Sequence, residues 1–232
     1  MDKKEPNSLI SAYTATLIHD LKTPVLAQIN ALDFLLKGNF GNLNSDQKEI
    51  LEQIKESCEY AKNLIHSILD SYLYENNQFN SKPEIFNWDK LIENSIKETS
   101  TLANNKNQKI VLKNHMKEQN IYADKFQLKR VIVNLISNAV KYGFKDSTIE
   151  IETKQDRKNL IFNVKNQSNY INLTDSKKLF NKFQRDKRGD SEISCGLGLY
   201  LVKQIIKAHK GRVYSKCEKS GECNFGFSIP KK

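Results

Sequence analysis

Apolar residues recur at helical spacing in two stretches of the N-terminal third of the chain, residues 9–37 and residues 50–72. Steps of three and four residues place the apolar side chains of each stretch on one stripe, as in an amphipathic helix. Between them lies a polar, glycine-containing break, after which Asn44 or Ser45 can cap the second helix. Pro24 lies inside the first stretch and predicts a local kink. The pattern therefore predicts two long antiparallel helices joined by a short turn.

A single helical hairpin leaves both apolar stripes half exposed to water. Pairing two hairpins into a four-helix bundle would bury these stripes. We therefore expect residues 1–80 to form a homodimer. The polar stretch at residues 76–83, which ends in Pro83, is typical of a linker.

Beyond this stretch, residues 81–232 change to a mixture of helical and alternating patterns. Helical spacing covers residues 88–101, 124–142 and 198–208, and the strand-like segments are 109–113, 148–153, 160–164, 212–215 and 224–229. This mixture predicts an α/β sandwich in which helices cover a mixed sheet. The expected fold class is therefore α+β and multidomain, with a helical hairpin that forms a dimeric four-helix bundle followed by the sandwich.

Composition narrows the classes of function. The formal net charge is +10, but the lysines are scattered and no basic patch is interleaved with aromatic residues, so we expect no nucleic-acid partner. No stretch approaches 18 consecutive apolar residues and the N-terminus lacks an apolar signal segment, so we expect neither a membrane span nor a secretory signal. The four cysteines lack a Cys-x-x-Cys spacing. We expect reduced thiols in a cytoplasmic protein rather than a disulfide or a zinc site.

The first motif that can carry chemistry is His-Asp-Leu-Lys-Thr-Pro, residues 19–24, on the first predicted helix. Asp20 can accept the Nδ1 proton of His19, which leaves Nε2 as a nucleophile for a phosphoryl group. Thr23 lies one helical turn further on, where its hydroxyl can orient a water molecule. The alternative is an exposed histidine on an amphipathic helix.

The second motif places two asparagines, Asn134 and Asn138, four residues apart and hence on one helical face. Amides on an otherwise apolar helix need partners. A hydrated Mg²⁺ that carries nucleotide phosphates is a suitable partner, with Lys141 offsetting phosphate charge. Capping of neighbouring strands or loops by the two amides is an equally good interpretation of the spacing.

The third motif is Gly196-Leu-Gly198-Leu199, which opens a predicted helix. Glycine lets the backbone approach an anion, and a helix N-terminus offers unpaired N–H groups, so the motif is typical of a phosphate-binding turn. An ordinary loop-to-helix turn has the same residues often enough to remain an alternative.

Taken in order, four segments of the chain resemble the sequence boxes of bacterial two-component sensor histidine kinases. Residues 19–24 resemble the H box, residues 130–142 the N box, residues 179–185 the F box, and residues 196–211 the G2 box with the helix after it. Order and spacing agree over about residues 9–230, which is far more specific than any one box. The resemblance implies a dimerisation and phosphoacceptor hairpin followed by a Bergerat-type ATP-binding domain.

The resemblance also implies roles for individual residues. His19 would be the phosphoacceptor, Asp20 the general base, and Thr23 the residue that positions water during dephosphorylation of a partner. The residues implied to hold ATP and Mg²⁺ are Asn134 and Asn138 at the metal and phosphates, Lys141, Tyr142 and Arg185 along the triphosphate, Gly196, Leu197, Gly198 and Leu199 in the phosphate-binding turn, and Asn166 at the adenine.

One box departs from the family pattern. The family usually has an aspartate that reads the adenine amino group, followed by two glycines, whereas this chain has Asn166, Ser168 and Tyr170 at those positions, and Ser194 replaces a glycine ahead of the G2 box. The amide oxygen of Asn166 can still accept from the adenine amino group, but without charge that hydrogen bond should be weaker.

The resemblance therefore predicts an ATP-dependent protein-histidine kinase that phosphorylates His19 and passes the phosphoryl group to an aspartate of a response-regulator receiver domain. Sensory input would come from a missing domain or from a separate protein. Two alternatives remain open: a degenerate, weakly nucleotide-binding scaffold that docks a response regulator or another kinase, and a variant biased towards dephosphorylation.

Overall fold

The computed structural model describes residues 5–76, 81–169, 178–184 and 196–231. Within it the chain divides into two compact units, Met1–Asn77 and Gln78–Lys232. In the described part of the chain, no helix combines the length and the apolar character needed to cross a bilayer.

The first unit is a helical hairpin made of α1 (Glu5–Leu36) and α2 (Ser45–Glu75). Asn44 caps α2 through a reciprocal pair of hydrogen bonds with Gln47, in which each side chain accepts from the other residue's backbone N–H at 2.8 and 3.0 Å. Contacts between the helices pair Asp33 with Lys55 and residue 28 with residue 58, so the helices run antiparallel. The predicted hairpin is thus confirmed, with Asn44 as the capping residue.

The second unit contains a five-stranded mixed sheet. Its strands are β2 (Lys109–His115), β4 (Thr148–Gln155), β5 (Asn159–Gln167), β6 (Arg212–Cys217) and β7 (Glu222–Pro230), in the order β2-β4-β5-β7-β6. Strands β2 and β4 are parallel and the other pairs are antiparallel. Three helices pack on the sheet: α3 (Trp88–Asn105), α4 (Lys125–Tyr142) and α5 (Gly198–Ala208). The predicted α/β unit with a mixed sheet is therefore confirmed.

The core lies between the sheet and the helices, where alternate strand positions are buried, as the alternating pattern predicts. Trp88, at the start of α3, is fully buried and its indole N–H donates to the hydroxyl of Thr153 on β4 at 2.7 Å. The rings of Phe162 and Phe227 stack beside it, with centroids 5.4 Å apart. The cap of α4 is the side chain of Asp124, which accepts from the Gln127 backbone N–H at 3.0 Å.

A second, two-stranded sheet was not predicted from the sequence. It pairs β1 (Glu84–Asn87) with β3 (Asn120–Ala123) in antiparallel fashion. Each strand has only four residues, which is too short for an alternating pattern to stand out. The sheet holds the start of α3, because the backbone N–H of Trp88 donates to the carbonyl of Gln119 at 2.7 Å.

The expectation of reduced cysteines is wrong for one pair. Cys217 at the end of β6 and Cys223 on β7 form a disulfide, with their Cα atoms 4.0 Å apart. The register of the two strands makes them direct partners, and only the tertiary pairing reveals that. Among the cysteines that the structure describes, Cys58 on α2 is the free thiol.

Candidate functional site

The H-box residues lie on α1, which continues through Pro24 without a break in the helix. His19 and Thr23 are four positions apart, and Asp20 and Thr23 are three apart, so both pairs share a side of the helix. The side chains of Asp20 and Thr23 are exposed. This surface can therefore be reached by a second protein or by a nucleotide held elsewhere.

The two asparagines of the N box are half-buried on α4. The amide nitrogen of Asn134 donates to the carbonyl of Arg130 on its own helix at 3.0 Å. That bond fixes the amide with its oxygen directed at the start of α5, where a Cβ on Gly198 would lie only 3.0 Å from it. Asn138 lies one turn further on and lines a cavity. Asn134 is therefore anchored on its own helix rather than capping a neighbouring strand or loop.

The cavity lies at the carboxyl end of α4, where the ends of β5 and β7 meet the start of α5. The lining residues in the described part of the chain are Asn138, Ala139, Tyr142, Asn166, Ser168, Leu179, Gln184, Leu199, Cys223 and Phe225. Its volume is about 580 Å³ with the open mouth included. Most of the lining surface is carbon, with a few amide and hydroxyl groups, which is the usual chemistry of a site for a flat heterocycle.

Asn166 and Ser168 lie at the closed end of this cavity, each only 4% exposed. The hydroxyl of Ser168 donates to the sulfur of Cys223 at 3.4 Å, and Cys223 is the register partner of Asn166 across β5 and β7. Cys223 therefore forms part of the cavity floor.

The phosphate-binding turn predicted from the sequence lies at the start of α5. Gly196 has φ +67°, and a Cβ there would lie 2.7 Å from the carbonyl oxygen of Gln184. The backbone N–H of Phe183 donates to the Gly196 carbonyl at 3.1 Å, which ties this turn to the F box. Leu197 is buried and precedes α5 as its N-cap without a side-chain hydrogen bond among the described residues. Within this part of the chain no N-cap side chain engages the first N–H groups of α5, a position suited to an anion.

Lys141 and Tyr142 lie at the end of α4, with the Lys141 ammonium 5.8 Å from the centroid of the Tyr142 ring. Tyr142 is exposed and lines the cavity. The structure thus brings together Asn138, Tyr142, Asn166 and Leu199 around one cavity, with Asn134 beside the turn that opens α5. The predictions made for Tyr170, Arg185 and Ser194 lie outside the described residues.

Two cavity residues, Cys223 and Phe225, lie outside every box that the sequence indicated. Cys223 and Phe225 alternate on β7 and face the cavity because β7 pairs with β5 in antiparallel register. The alternating strand pattern at residues 224–229 was visible in the sequence. That pattern does not identify the strand with which β7 pairs. The pairing decides whether this face of β7 lies beside Asn166.

Two family models match the chain. The His Kinase A (phospho-acceptor) domain matches residues 10–76, and the histidine kinase-, DNA gyrase B- and HSP90-like ATPase model matches residues 123–232. The two matches follow each other in the order expected from the four boxes.

Similar curated proteins include the sensor protein KdpD of Clostridium acetobutylicum, 27% identical over 98% of this chain and 25% of that protein. The sensor histidine kinase HprS of Escherichia coli is 30% identical over 87% of this chain and 43% of that protein. The chain thus spans about a quarter of the first relative and less than half of the second.

Among solved structures, full-length ShkA in complex with AMPPNP superposes with a TM-score of 0.79 at 19% identity, over 95% of this chain and 46% of that chain. The histidine kinase AdeS of Acinetobacter baumannii gives 0.65 at 22% identity, over 91% of this chain and 97% of that chain. At these identities the likeness concerns the fold.

Proposed function

The chain belongs to the two-component sensor histidine kinases, and we propose that it is an ATP-dependent protein-histidine kinase that phosphorylates its own His19. The observation that carries this proposal is the convergence around one cavity of the Asn138 amide on α4, the start of α5 and the buried amide of Asn166, with the Asn134 amide beside the start of α5. A nucleotide needs a neutral slot for its base beside an anion site for its phosphates, and the cavity offers both.

The two units would have separate functions. Residues 1–80 would be the dimerisation and phosphoacceptor hairpin, and residues 81–232 the ATP-binding domain. Exposed apolar side chains on the hairpin support a homodimer: Leu21, Phe34, Ile50, Ile54 and Ile68 are all at least 45% exposed. Burying them against a second copy in a four-helix bundle would be favourable.

In the proposed complex the base would lie at the closed end of the cavity, beside Asn166, and the phosphates at the start of α5. Asn134 and Asn138 would hold Mg²⁺ together with the phosphates, because amide oxygens are suitable ligands for this cation and the Asn134 nitrogen is already engaged by Arg130. When bound, the metal neutralises phosphate charge. The backbone N–H groups of Gly198 and Leu199 would donate to phosphate oxygens.

The chemical step would be an in-line transfer to the imidazole of His19. A bond forms between Nε2 and the γ-phosphorus while the bond from that phosphorus to the bridging oxygen of ADP breaks, and ADP leaves with the electron pair. Asp20 would accept the Nδ1 proton and so keep Nε2 nucleophilic. This role needs a carboxylate next to the histidine, and Asp20 is exposed on α1.

The phosphoryl group would then pass to an aspartate of a response-regulator receiver domain. Exposure of Asp20 and Thr23 supports docking of such a partner on α1. Thr23 could also orient a water molecule that hydrolyses the regulator's acyl phosphate, which would give the protein a second, dephosphorylating activity. Sensory input would reach the hairpin from another domain or another protein.

The test is incubation of the full chain with γ-labelled Mg·ATP. We expect label on the wild type and none on His19→Gln. His115→Gln, which changes an exposed histidine on β2, is the matched control and should label like the wild type. Equal labelling of the wild type and His19→Gln would contradict the proposal, as would an unlabelled wild type.

A second candidate function is supported by the side chains at the base end of the cavity. Asn166 supplies no charge, and Ser168 is engaged with Cys223, so adenine would be held more weakly than by an acidic residue. The protein would then be a scaffold that docks a response regulator or another kinase. Calorimetric titration with Mg·ATP distinguishes the two functions, because the scaffold should show no binding at millimolar nucleotide.

A further inference from the structure

The side chain that would recognise the base is Asn166. It ends in a neutral amide that can adopt either of two orientations. Asn166 is 4% exposed, and its side chain lines the closed end of the cavity. Its side chain makes no hydrogen bond with the residues that the structure describes, and a Cβ added at Gly143 would lie 3.6 Å from its amide nitrogen. Rotating the amide by half a turn therefore breaks no bond to these residues.

An amide carries both a donor and an acceptor, and the two can exchange places. In one orientation its oxygen accepts from the amino group of adenine and its nitrogen donates to the adjacent ring nitrogen. In the other its nitrogen donates to the 6-oxo group of guanine and its oxygen accepts from the adjacent ring N–H. A carboxylate at this position is an acceptor only, so it can accept from the adenine amino group but cannot donate to the ring nitrogen. With the base in the same position it would face the 6-oxo group of guanine with like polarity.

On the described cavity wall, no other residue supplies the negative charge that a carboxylate in place of the Asn166 amide would carry. All ten lining residues in that part of the chain are formally neutral. Around the base end they are Ala139, Leu179 and Phe225, whose side chains offer no polar group to either purine, and Ser168, whose hydroxyl oxygen can accept while its proton is donated to Cys223. A wrong base is rejected by a steric clash or by an unpaired or like-charged group opposite it.

We propose that Asn166 sets the nucleotide specificity of this pocket and that the pocket accepts guanine as well as adenine. The inference rests on the proposed function, in which this cavity holds a purine nucleoside triphosphate. It assigns to the protein a substrate class of two purine nucleotides rather than ATP alone.

The test is calorimetric titration of the full chain with Mg·ATP and Mg·GTP. For the wild type we expect the two dissociation constants to agree within about tenfold. For Asn166→Asp we expect the preference for ATP over GTP to rise by at least about tenfold, since a carboxylate at this place accepts from the adenine amino group but opposes the guanine 6-oxo group when the base keeps its position. Gln167→Glu is the matched control, because it adds the same charge at the next, exposed position of β5 and should leave the ratio unchanged.

A ratio of two nucleotides is insensitive to general damage, because partial unfolding weakens both equally, and the wild-type ratio needs no variant. Wild-type binding of ATP with GTP at least about a hundredfold weaker would overturn the specificity inference while leaving the proposed kinase intact. An unchanged ratio in Asn166→Asp would overturn the role of Asn166. Failure of the wild type to bind either nucleotide would overturn both proposals together.

Discussion

The side-chain oxygen of Asn134 lies 3.0 Å from the point that a Cβ on Gly198 would occupy. The first turn of α5 can approach α4 this closely only because Gly198 has no side chain. The Asn134 amide cannot simply turn away, since its nitrogen donates to the Arg130 carbonyl. The glycine therefore sets the gap between an amide oxygen and the N–H groups that open α5.

Substitution Gly198→Ala should weaken Mg·ATP binding by about tenfold, or about 1.4 kcal/mol. The added methyl group must displace the Asn134 amide by a few tenths of an ångström, and both groups belong to the proposed phosphate site. Stability should change little, because alanine is the better helix former at this position. Calorimetry gives the affinity and urea unfolding gives the stability. Unaltered affinity would contradict the proposed contact of these residues with phosphate.

Gly196→Ala should be the more damaging of the two glycine substitutions. Gly196 has φ +67°, and its Cβ would lie between 2.7 and 2.9 Å from backbone atoms of residues 183 and 184, which cannot rotate away. The conformation alone costs an alanine about 1–2 kcal/mol. We expect larger losses of both nucleotide affinity and urea midpoint than for Gly198→Ala. Larger losses for Gly198→Ala than for Gly196→Ala would show that the turn at Gly196 does not hold the conformation described above.

Local patterns predicted the elements that lie within one stretch of chain. The apolar stripes at residues 9–37 and 50–72 predict the hairpin. Asn44 predicts the start of α2, because asparagine is a common N-cap residue. The strands of the mixed sheet follow from alternation, since one face of each is buried. The family resemblance rests on the same kind of local evidence, and the matching family models confirm it.

Features that depend on which strands pair, and in which register, were not predicted. The disulfide requires Cys217 and Cys223 to be opposite each other on β6 and β7, and the cavity floor requires Cys223 to be opposite Asn166 on β5. Register of this kind is set by the whole sheet and by its turns, so no single segment encodes it. The short strands β1 and β3 likewise form because they meet each other.

Removing the hydroxyl of Thr153 should destabilise the second unit. The Trp88 indole N–H donates to this hydroxyl at 2.7 Å, and both residues are fully buried. Thr153→Val keeps the shape of the side chain but leaves the Trp88 indole N–H unpaired. The free energy of unfolding should therefore fall by about 1–3 kcal/mol. Urea unfolding followed by fluorescence reports on this unit directly, because Trp88 is the one tryptophan of the chain.

The matched control for this substitution is Thr148→Val, at an exposed position of the same strand. It should change the free energy of unfolding by less than about 0.5 kcal/mol. Equal effects of the two substitutions would mean that strand propensity, rather than the buried hydrogen bond, accounts for the loss.

Reduction of the Cys217–Cys223 disulfide should lower stability by about 2 kcal/mol, the chain-entropy value for so short a closed loop. The two residues are six apart in sequence and join β6 to β7. Urea unfolding with and without a dithiol reductant measures the difference. Cys217→Ser should resemble the reduced wild type and should not respond to reductant, which controls for effects at Cys58. A wild type that is equally stable in both conditions would contradict the prediction.

Tyr214 on β6 should make stability fall at alkaline pH. The residue is 37% exposed, but its hydroxyl donates to the Asn163 side-chain oxygen at 2.7 Å. Desolvation of that hydroxyl, reinforced by the nearby Glu152 carboxylate, raises the pKa of Tyr214 from 10.0 to about 12. Because the folded-state pKa is the higher one, the neutral phenol stabilises the fold fully below pH 10. That contribution is lost as the pH rises from 10 to about 12.

Tyr214→Phe tests this dependence, because it keeps the ring and removes the titrating hydroxyl. At pH 8 the variant should be less stable than the wild type by about 1 kcal/mol, since the Asn163 oxygen loses its donor. Between pH 10 and 12 its free energy of unfolding should fall less steeply than that of the wild type, so the two curves converge. Tyr122→Phe removes an exposed phenol, keeps Tyr214 and should follow the wild-type curve. Parallel curves for Tyr214→Phe and the wild type would show that deprotonation of Tyr214 is not coupled to unfolding.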